Sequence, residues 1–158
     1  MALTISSRDF PGQPILFIRR SIARDELANM LAECFGTLFG HGQTSGLPIV
    51  GAPLARYVAM GPGPWTVDAA MPIASAAPSA GEMQSGCLPA GPTAFAIHVG
   101  AYENLPETHA AIERWIAVQG YHVAGAPWES YVTDPAQHPE PTDWRTEVYW
   151  PLVQTPSR

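Results

Sequence analysis

Apolar and polar residues follow two different periods along the first half of the chain. An apolar run at residues 15–20 predicts a strand. From Leu27 to Phe39, apolar side chains return every three or four residues, and this period predicts an amphipathic helix. Two later runs, at residues 54–60 and 66–71, predict two more strands. The first half therefore has the predicted order β-α-β-β.

The second half repeats this order. Residues 93–99 predict its first strand, and the runs at 128–133 and 145–152 predict its last two. Between them, one apolar helix face is predicted from the spacing of Leu105, His109, Ile112, Trp115 and Ile116. An extra strand is expected near residues 82–88, within the Ala, Ser, Gly and Pro-rich stretch that joins the halves.

Short polar residues and glycines mark the expected helix ends. Ser21 is the expected N-terminal cap of the first helix. Asn104 and Glu107 resemble a capping box at the start of the second. Glycines that we expect to end the helices follow the last apolar positions: Gly40 or Gly42, and Gly120.

The halves also resemble each other residue by residue. GAPLARYV at 51–58 matches GAPWESYV at 125–132, and the Trp-x-x-acid-x-x-x-Pro pattern at 65–72 recurs at 144–151. We interpret residues 1–158 as one domain with internal repeats at about 14–72 and 92–152 and a linker at about 73–91.

One helix covers only one face of a three-stranded sheet, so each half has a bare face to bury. The predicted fold class is therefore α+β, with duplicated β-α-β-β modules related by a pseudo-twofold axis. In this hypothesis the bare faces of the antiparallel sheets meet and form a central ligand cleft.

The last strand carries the strongest candidate chemistry. Side chains alternate along a strand, so Glu147 and Tyr149 share one face, while Val148 and Trp150 share the other. The apolar face suits the helix, which sends Glu147 toward the cleft. The pattern fits either a solvated edge strand or a ligand-facing carboxylate. Its repeat mate Asp68 is a second candidate, either as a site residue or as a turn cap.

Tyr and Trp, the aromatic residues that carry a polar O–H or N–H group, are concentrated late in the chain. Six of the ten Trp and Tyr residues follow Gly120: Tyr121, Trp128, Tyr131, Trp144, Tyr149 and Trp150. Aromatic faces beside one carboxylate attract cations. Tyr57 and Tyr131 are repeat mates, and we expect both to reach the cleft. His98 follows two small residues on its strand face, so it is either a donor to the ligand or a structural histidine.

Composition excludes several classes of function. All eight basic residues are Arg, which excludes a Lys Schiff base and a P-loop Lys, and the net charge of −6 argues against direct nucleic-acid binding. The five His lack metal-ligand spacing, and Cys34 and Cys87 make no disulfide framework, so we expect neither metal nor cofactor. With no long apolar run and no signal peptide, we expect a cytoplasmic protein without membrane contact.

Two stretches resemble the bacterial GyrI-like family, also called the AraC-type effector-binding domain. These are LPAGPTAFAIHVGAY at 88–102 and TEVYWPL at 146–152, and the likeness extends over about residues 15–152. The resemblance implies the paired β-α-β-β fold and Glu147 as the central acid of the cleft. It implies an aromatic wall formed by Tyr57, Trp65, Trp128, Tyr131 and Tyr149. Trp115, which matches the Trp of the family's helix, His98 and Asp68 are further candidate ligand contacts.

The resemblance leaves three functions open. The first is passive binding of a small hydrophobic or cationic aromatic ligand, as in multidrug binders. The second is a hydrolase that opens strained cyclopropane-containing alkylating compounds without metal or cofactor, with Glu147 as the acid and Tyr131 or Tyr149 as hydrogen-bond donor. The third is a protein that interacts with DNA gyrase. No helix-turn-helix is seen before the first predicted strand, which disfavours direct transcription control.

Overall fold

A computed structural model describes residues 3–153, which divide into two units. We call residues 12–89 the N-terminal unit and residues 3–11 together with 90–153 the C-terminal unit. The main elements in chain order are β1 (Ile5–Phe10), β2 (Gln13–Ile22), α1 (Leu27–Ser45), β3 (Leu54–Ala59), β4 (Trp65–Pro72), β5 (Gln84–Leu88), β6 (Gly91–Val99), α2 (Leu105–Val118), β7 (His122–Val123), β8 (Trp128–Tyr131) and β9 (Arg145–Val153).

Both units are antiparallel sheets with one helix, and their internal strand orders correspond. The order is β3-β4-β2-β5 in the N-terminal unit and β8-β9-β6-β1 in the C-terminal unit, where the short β7 also pairs with β9. The predicted α+β class, the two β-α-β-β runs and the extra strand β5 are confirmed. The sequence pattern missed β1, which pairs with β6.

The predicted start and end of α1 are wrong. Ser21 lies within β2, and a single 3-10 turn at Arg24–Glu26 leads into the helix instead. The helix continues through both proposed glycines to Ser45 and ends at Gly46, which has a φ of 68°. Gly42 serves packing, because a Cβ there would lie 2.8 Å from Ile49 Cδ1.

In α2, the predicted capping box is wrong and the predicted stop is confirmed. Asn104 belongs to a preceding 3-10 turn, and its side chain makes no capping hydrogen bond. Gly120 adopts a φ of 80° just after the helix. This left-handed conformation lets the amide of Tyr121 donate to the carbonyl of Ile116 at 3.0 Å.

The faces of the C-terminal sheet differ as strand alternation predicts. The core between the sheet and α2 consists of Ala94, Ala96, Leu105, Ile112, Ile116, Val148, Trp150 and Leu152. Glu147 and Tyr149 therefore lie on the face opposite α2. In the N-terminal unit, α1 contributes the buried side chains Met30, Leu31, Cys34 and Leu38. Within residues 3–153, no helix is long and apolar enough to cross a membrane.

Candidate functional site

Asp68 and Glu147 occupy the same position in their respective sheets. Each lies four residues before a proline, Pro72 in β4 or Pro151 in β9. Each proline is paired with the third residue of the strand that precedes the helix, β2 or β6. The sequence repeat is therefore reproduced in the strand register, and the two acids can be compared directly.

Asp68 is neutralised within the N-terminal unit. Its side chain is fully buried, and its cross-strand neighbours are Arg19 on β2 and Arg56 on β3. Arg19 donates to both carboxylate oxygens at 2.7 and 3.0 Å, and Arg56 donates to Oδ2 at 3.2 and 3.3 Å. A buried acid with two guanidinium partners has the contacts of a structural ion pair.

Glu147 has different neighbours at this position. Its cross-strand partners are Ile97 on β6 and Ser130 on β8. It is half-buried, and the Tyr149 hydroxyl donates to its Oε1 at 2.8 Å. The pKa of the Tyr149 phenol is raised, mainly by burial and secondly by this hydrogen bond. The phenol therefore keeps its proton and remains a donor at neutral pH.

Large aromatic rings pack beside Glu147 on the face opposite α2. Trp128 is 1% exposed and stacks on Tyr149 with ring centroids 5.1 Å apart. Phe10 of β1 contacts both rings, at 5.2 and 5.6 Å. The Arg8 guanidinium lies 3.6 Å from the Phe95 ring centroid, so a cation of the protein already occupies one of these ring faces.

A second acid, Glu129, lies on the α2 face of the same sheet. It is 3% exposed, and each of its oxygens accepts a hydrogen bond. The Tyr131 hydroxyl donates to Oε1 at 2.7 Å, and His109 Nε2 lies 2.6 Å from Oε2. The indole Nε1–H of Trp150 donates to His109 Nδ1 at 3.0 Å.

These contacts fix the protons along the chain of hydrogen bonds. An indole nitrogen only donates, so His109 Nδ1 is an acceptor and carries no proton. The proton of the neutral ring is therefore on Nε2, which donates to Glu129. Both oxygens of Glu129 therefore act as acceptors, one toward the imidazole of His109 and the other toward the phenol of Tyr131.

Half-buried rings extend from this carboxylate. Tyr131 contacts Tyr102 edge to face at 5.5 Å, and Tyr102 lies 4.8 Å from Trp144. Burial raises the pKa of Tyr102, and the charges of Asp134 and Glu129 raise it further. The electrostatic influence of Glu129 therefore reaches along these rings. We call Glu129, His109, Trp150, Tyr131, Tyr102 and Trp144 the Glu129 cluster.

The strand register separates the predicted pair of Glu147 and Tyr131. Ser130 is paired with Glu147, whereas Tyr131 is paired with Thr146 and projects to the α2 face. Tyr131 contacts Glu129 there, so the acid–phenol pair with Tyr131 is formed by a different acid. Tyr149 is the phenol that contacts Glu147.

Tyr57 and Trp65 contact each other in the N-terminal unit, with ring centroids 5.9 Å apart. Both lie on the face of β3 and β4 opposite Asp68, because Val67, the partner of Tyr57, is one residue from Asp68 and Trp65 is three residues from it. The Arg24 guanidinium lies 4.9 Å from the Trp65 ring centroid. The Trp65 ring therefore already has a cationic partner, Arg24, within the N-terminal unit.

His98 and Trp115 have contacts typical of structural residues. Both ring nitrogens of the buried His98 are engaged, one by Thr108 Oγ1 at 2.7 Å and the other by the Ala101 carbonyl at 2.9 Å. Trp115 packs against the α2 core and stacks on Tyr121 at 6.0 Å. Neither side chain belongs to the Glu129 cluster.

Sequence reasoning missed Glu129, although the repeat contained a signal. Aligning GAPLARYV with GAPWESYV puts Glu129 opposite Ala55, and Ala55 is completely buried. An acid at a repeat position that is otherwise buried and apolar indicates a special environment. Glu129-x-Tyr131 also has the same spacing as Glu147-x-Tyr149.

Thr146, on the α2 face of the C-terminal sheet, allows a test of how this face is packed. Its side chain is fully buried, and Oγ1 has no hydrogen-bond partner among residues 3–153. We expect Thr146→Val to raise the free energy of unfolding by about 1–2 kcal/mol, because an unsatisfied buried hydroxyl is costly. Urea denaturation measures the change. Thr108→Val is the matched control and should destabilise, since its hydroxyl contacts His98. Equal losses of unfolding free energy in Thr146→Val and Thr108→Val would contradict the conclusion that the Thr146 hydroxyl is unsatisfied.

Solved structures show the same fold. EcmrR in a DNA complex has a TM-score of 0.84 at 17% identity over 97% of this chain, which spans 58% of that chain. The EcmrR C-terminal domain gives 0.84 at 16% identity, covering 98% of this chain and 100% of that one.

Two further structures extend the comparison. A hydrolase from Listeria innocua gives a TM-score of 0.65 at 13% identity, with 94% and 91% of the two chains covered. SAV2435 bound to tetraphenylphosphonium gives 0.64 at 11% identity, with 97% and 94% covered. Comparison with curated proteins gives no significant match.

The two β-α-β-β units define a protein of the α+β class. The family model of the GyrI-like small molecule binding domain matches residues 3–153. The chain belongs to this family.

Proposed function

We propose that this domain binds a hydrophobic organic cation, with Glu129 as the counter-charge. The observation that carries the proposal is the Glu129 cluster, in which a buried carboxylate accepts hydrogen bonds from Tyr131 and His109 and leads to half-buried rings. Each ring face that contacts a cation contributes about 0.5–2 kcal/mol. A carboxylate beside several rings therefore favours aromatic cations over neutral aromatics of the same shape.

The hydrogen bonds to Glu129 also limit the kind of cation. Both oxygens already accept from protein donors, so a primary ammonium has to compete with His109 and Tyr131. A quaternary or aryl-onium cation carries no N–H and needs only the charge and the rings. Tetraphenylphosphonium is such a cation, and the presence of this ligand on SAV2435 supports its use as a probe.

Glu147, the acid indicated by the sequence, is the competing candidate. It is half-buried beside Tyr149 and Trp128, and these rings form a compact cluster with Phe10. The Coulombic effect of Arg8 on Tyr149 places a positive charge in this neighbourhood. That charge disfavours a second cation beside Glu147, which is why we assign the ligand to Glu129.

The two acids form a matched pair for experiment, since each accepts a bond from a tyrosine two residues later. We expect Glu129→Gln to weaken tetraphenylphosphonium binding at least about tenfold and Glu147→Gln to change it less than about twofold. Isothermal titration calorimetry measures both, with thermal melts to check folding. The opposite ranking would assign the ligand to Glu147. No effect in either folded variant would reject both acids.

Hydrolysis is a second candidate, favoured by one observation. The Tyr131 hydroxyl oxygen lies 2.7 Å from Glu129 Oε1 and His109 Nε2 lies 2.6 Å from Oε2, an arrangement suited to acid–base chemistry. We propose that Glu129 would accept a proton from water as the water oxygen bonds to a ring carbon of a strained cyclopropane-containing compound and the ring C–C bond breaks. The product would take up the electron pair of that bond and be protonated by Tyr131, which regains its proton from Glu129. Product formation that is lost in Glu129→Gln and Tyr131→Phe would support an enzyme. Tight binding of the compound without product at any pH would support a passive binder.

A further inference from the structure

His109 lies between the indole of Trp150 and the carboxylate of Glu129 and contacts both. The Trp150 Nε1–H donates to Nδ1 at 3.0 Å, and Nε2 lies 2.6 Å from Glu129 Oε2. The side chain is 15% exposed, so solvent protons reach a ring that is otherwise enclosed. This position connects the protonation of one histidine to the charge of the acid.

We propose that His109 is a positioning residue that couples cation binding at Glu129 to the release of a proton. The inference rests on the proposed function and adds regulation to the same site. While His109 is neutral, Glu129 presents a full negative charge to the ligand. Once His109 is protonated, its positive charge lies 2.6 Å from Glu129 and cancels the attraction for an organic cation.

Protonation also changes the contact with Trp150. An imidazolium carries a proton on Nδ1, which then faces the indole N–H across the present 3.0 Å distance. Two donors cannot form a hydrogen bond with each other, so this contact is lost. Trp150 therefore favours the neutral ring, whereas Glu129 favours the charged ring. A cation bound beside Glu129 shifts this balance toward the neutral ring.

Several titratable or charged groups surround α2 in this unit. Glu129 and Tyr131 face His109 from β8, and Trp150 faces it from β9. On β6, His98 is committed to Thr108 and the Ala101 carbonyl. On α2 itself, Glu113 lies one turn further along and is exposed.

The direction in which cation affinity changes with pH follows from the thermodynamic link between cation binding and protonation of His109. If a proton on His109 weakens binding of the cation, the cation must weaken binding of that proton by the same factor. Cation affinity then falls as the pH is lowered.

The experiment measures tetraphenylphosphonium affinity between pH 8 and pH 5.5. We expect the Kd of the unmodified chain to rise at least about fivefold across this range. In His109→Gln, whose amide cannot titrate, we expect a nearly constant Kd. His122→Gln, on the exposed β7, is the matched control and should keep the full pH dependence. Nitrogen NMR of the His109 ring in the free protein is an independent readout that should show Nε2–H and an unprotonated Nδ1.

The outcomes separate this inference from the proposed function. A pH-independent Kd in the unmodified chain, with weak binding by Glu129→Gln, overturns the coupling and leaves the Glu129 site in place. Full pH dependence in folded His109→Gln, or a proton on Nδ1 of the neutral ring, also overturns the coupling. Unchanged binding by Glu129→Gln at pH 8 overturns the proposed function, and the coupling with it.

Discussion

Replacing Asp68 by alanine should lower the free energy of unfolding by about 3–5 kcal/mol. The carboxylate is fully buried and accepts hydrogen bonds from two arginines. The Arg19 side chain is 45% exposed and can turn to water, but that of Arg56 is only 16% exposed. The loss therefore comes mainly from a guanidinium that stays buried without its acid. Urea denaturation followed by circular dichroism measures the change.

A second substitution distinguishes the ion pair from simple loss of volume. Arg56→Met in the Asp68→Ala background removes the orphaned charge, so it should restore part of the lost stability. Asp9→Ala, at an exposed position of β1, should change stability by less than about 0.5 kcal/mol. A loss below about 1 kcal/mol in Asp68→Ala would mean that the buried pair contributes little.

The periodic parts of the fold could be predicted because their side chains are sorted by burial. The buried positions of α1 recur at helical spacing, as Met30, Cys34 and Leu38 illustrate. Likewise, the alternation in β9 predicted which side chains face α2. Strand β1 was missed because four of its six residues are exposed, so its two ends alone carried any apolar signal.

The sequence predicted the type of candidate site, an acid beside aromatic residues, but not which acid occupies it. An acid followed two residues later by a tyrosine was recognised at Glu147, but the same pattern at Glu129 was not. The difference between Asp68 and Glu147 depends on the cross-strand neighbours, which are arginines in one sheet and Ile97 with Ser130 in the other. Register determines such neighbours, and the sequence pattern does not specify register closely enough.

Helix caps failed for a related reason. A serine or asparagine caps a helix only if it directly precedes the first helical residue and has an extended backbone conformation. Ser21 fails the first condition, because it lies in β2 and a 3-10 turn separates it from α1. Asn104 directly precedes α2 but fails the second condition, because it ends a 3-10 turn and has helical angles, with φ −93° and ψ −2°.

The second large effect is expected at Trp128. The family resemblance implied that this residue is part of the aromatic wall of the ligand site, whereas its ring is 1% exposed and stacks on Tyr149. We expect Trp128→Ala to lower the free energy of unfolding by about 3–5 kcal/mol, because the cavity left by a large buried ring cannot be refilled. Chemical denaturation monitored by far-ultraviolet circular dichroism measures the loss.

Two variants show whether the Trp128 ring supports the fold or the ligand. Trp128→Phe keeps an aromatic ring against Phe10 and Tyr149, so it should retain much of the stability and bind tetraphenylphosphonium as the unmodified chain does. Trp144→Ala is the matched control from the half-buried rings of the Glu129 cluster. It should lose less stability than Trp128→Ala but weaken cation binding, since its ring is in the proposed site. A stable Trp128→Ala protein that no longer binds the cation would reverse this assignment and make Trp128 a ligand contact.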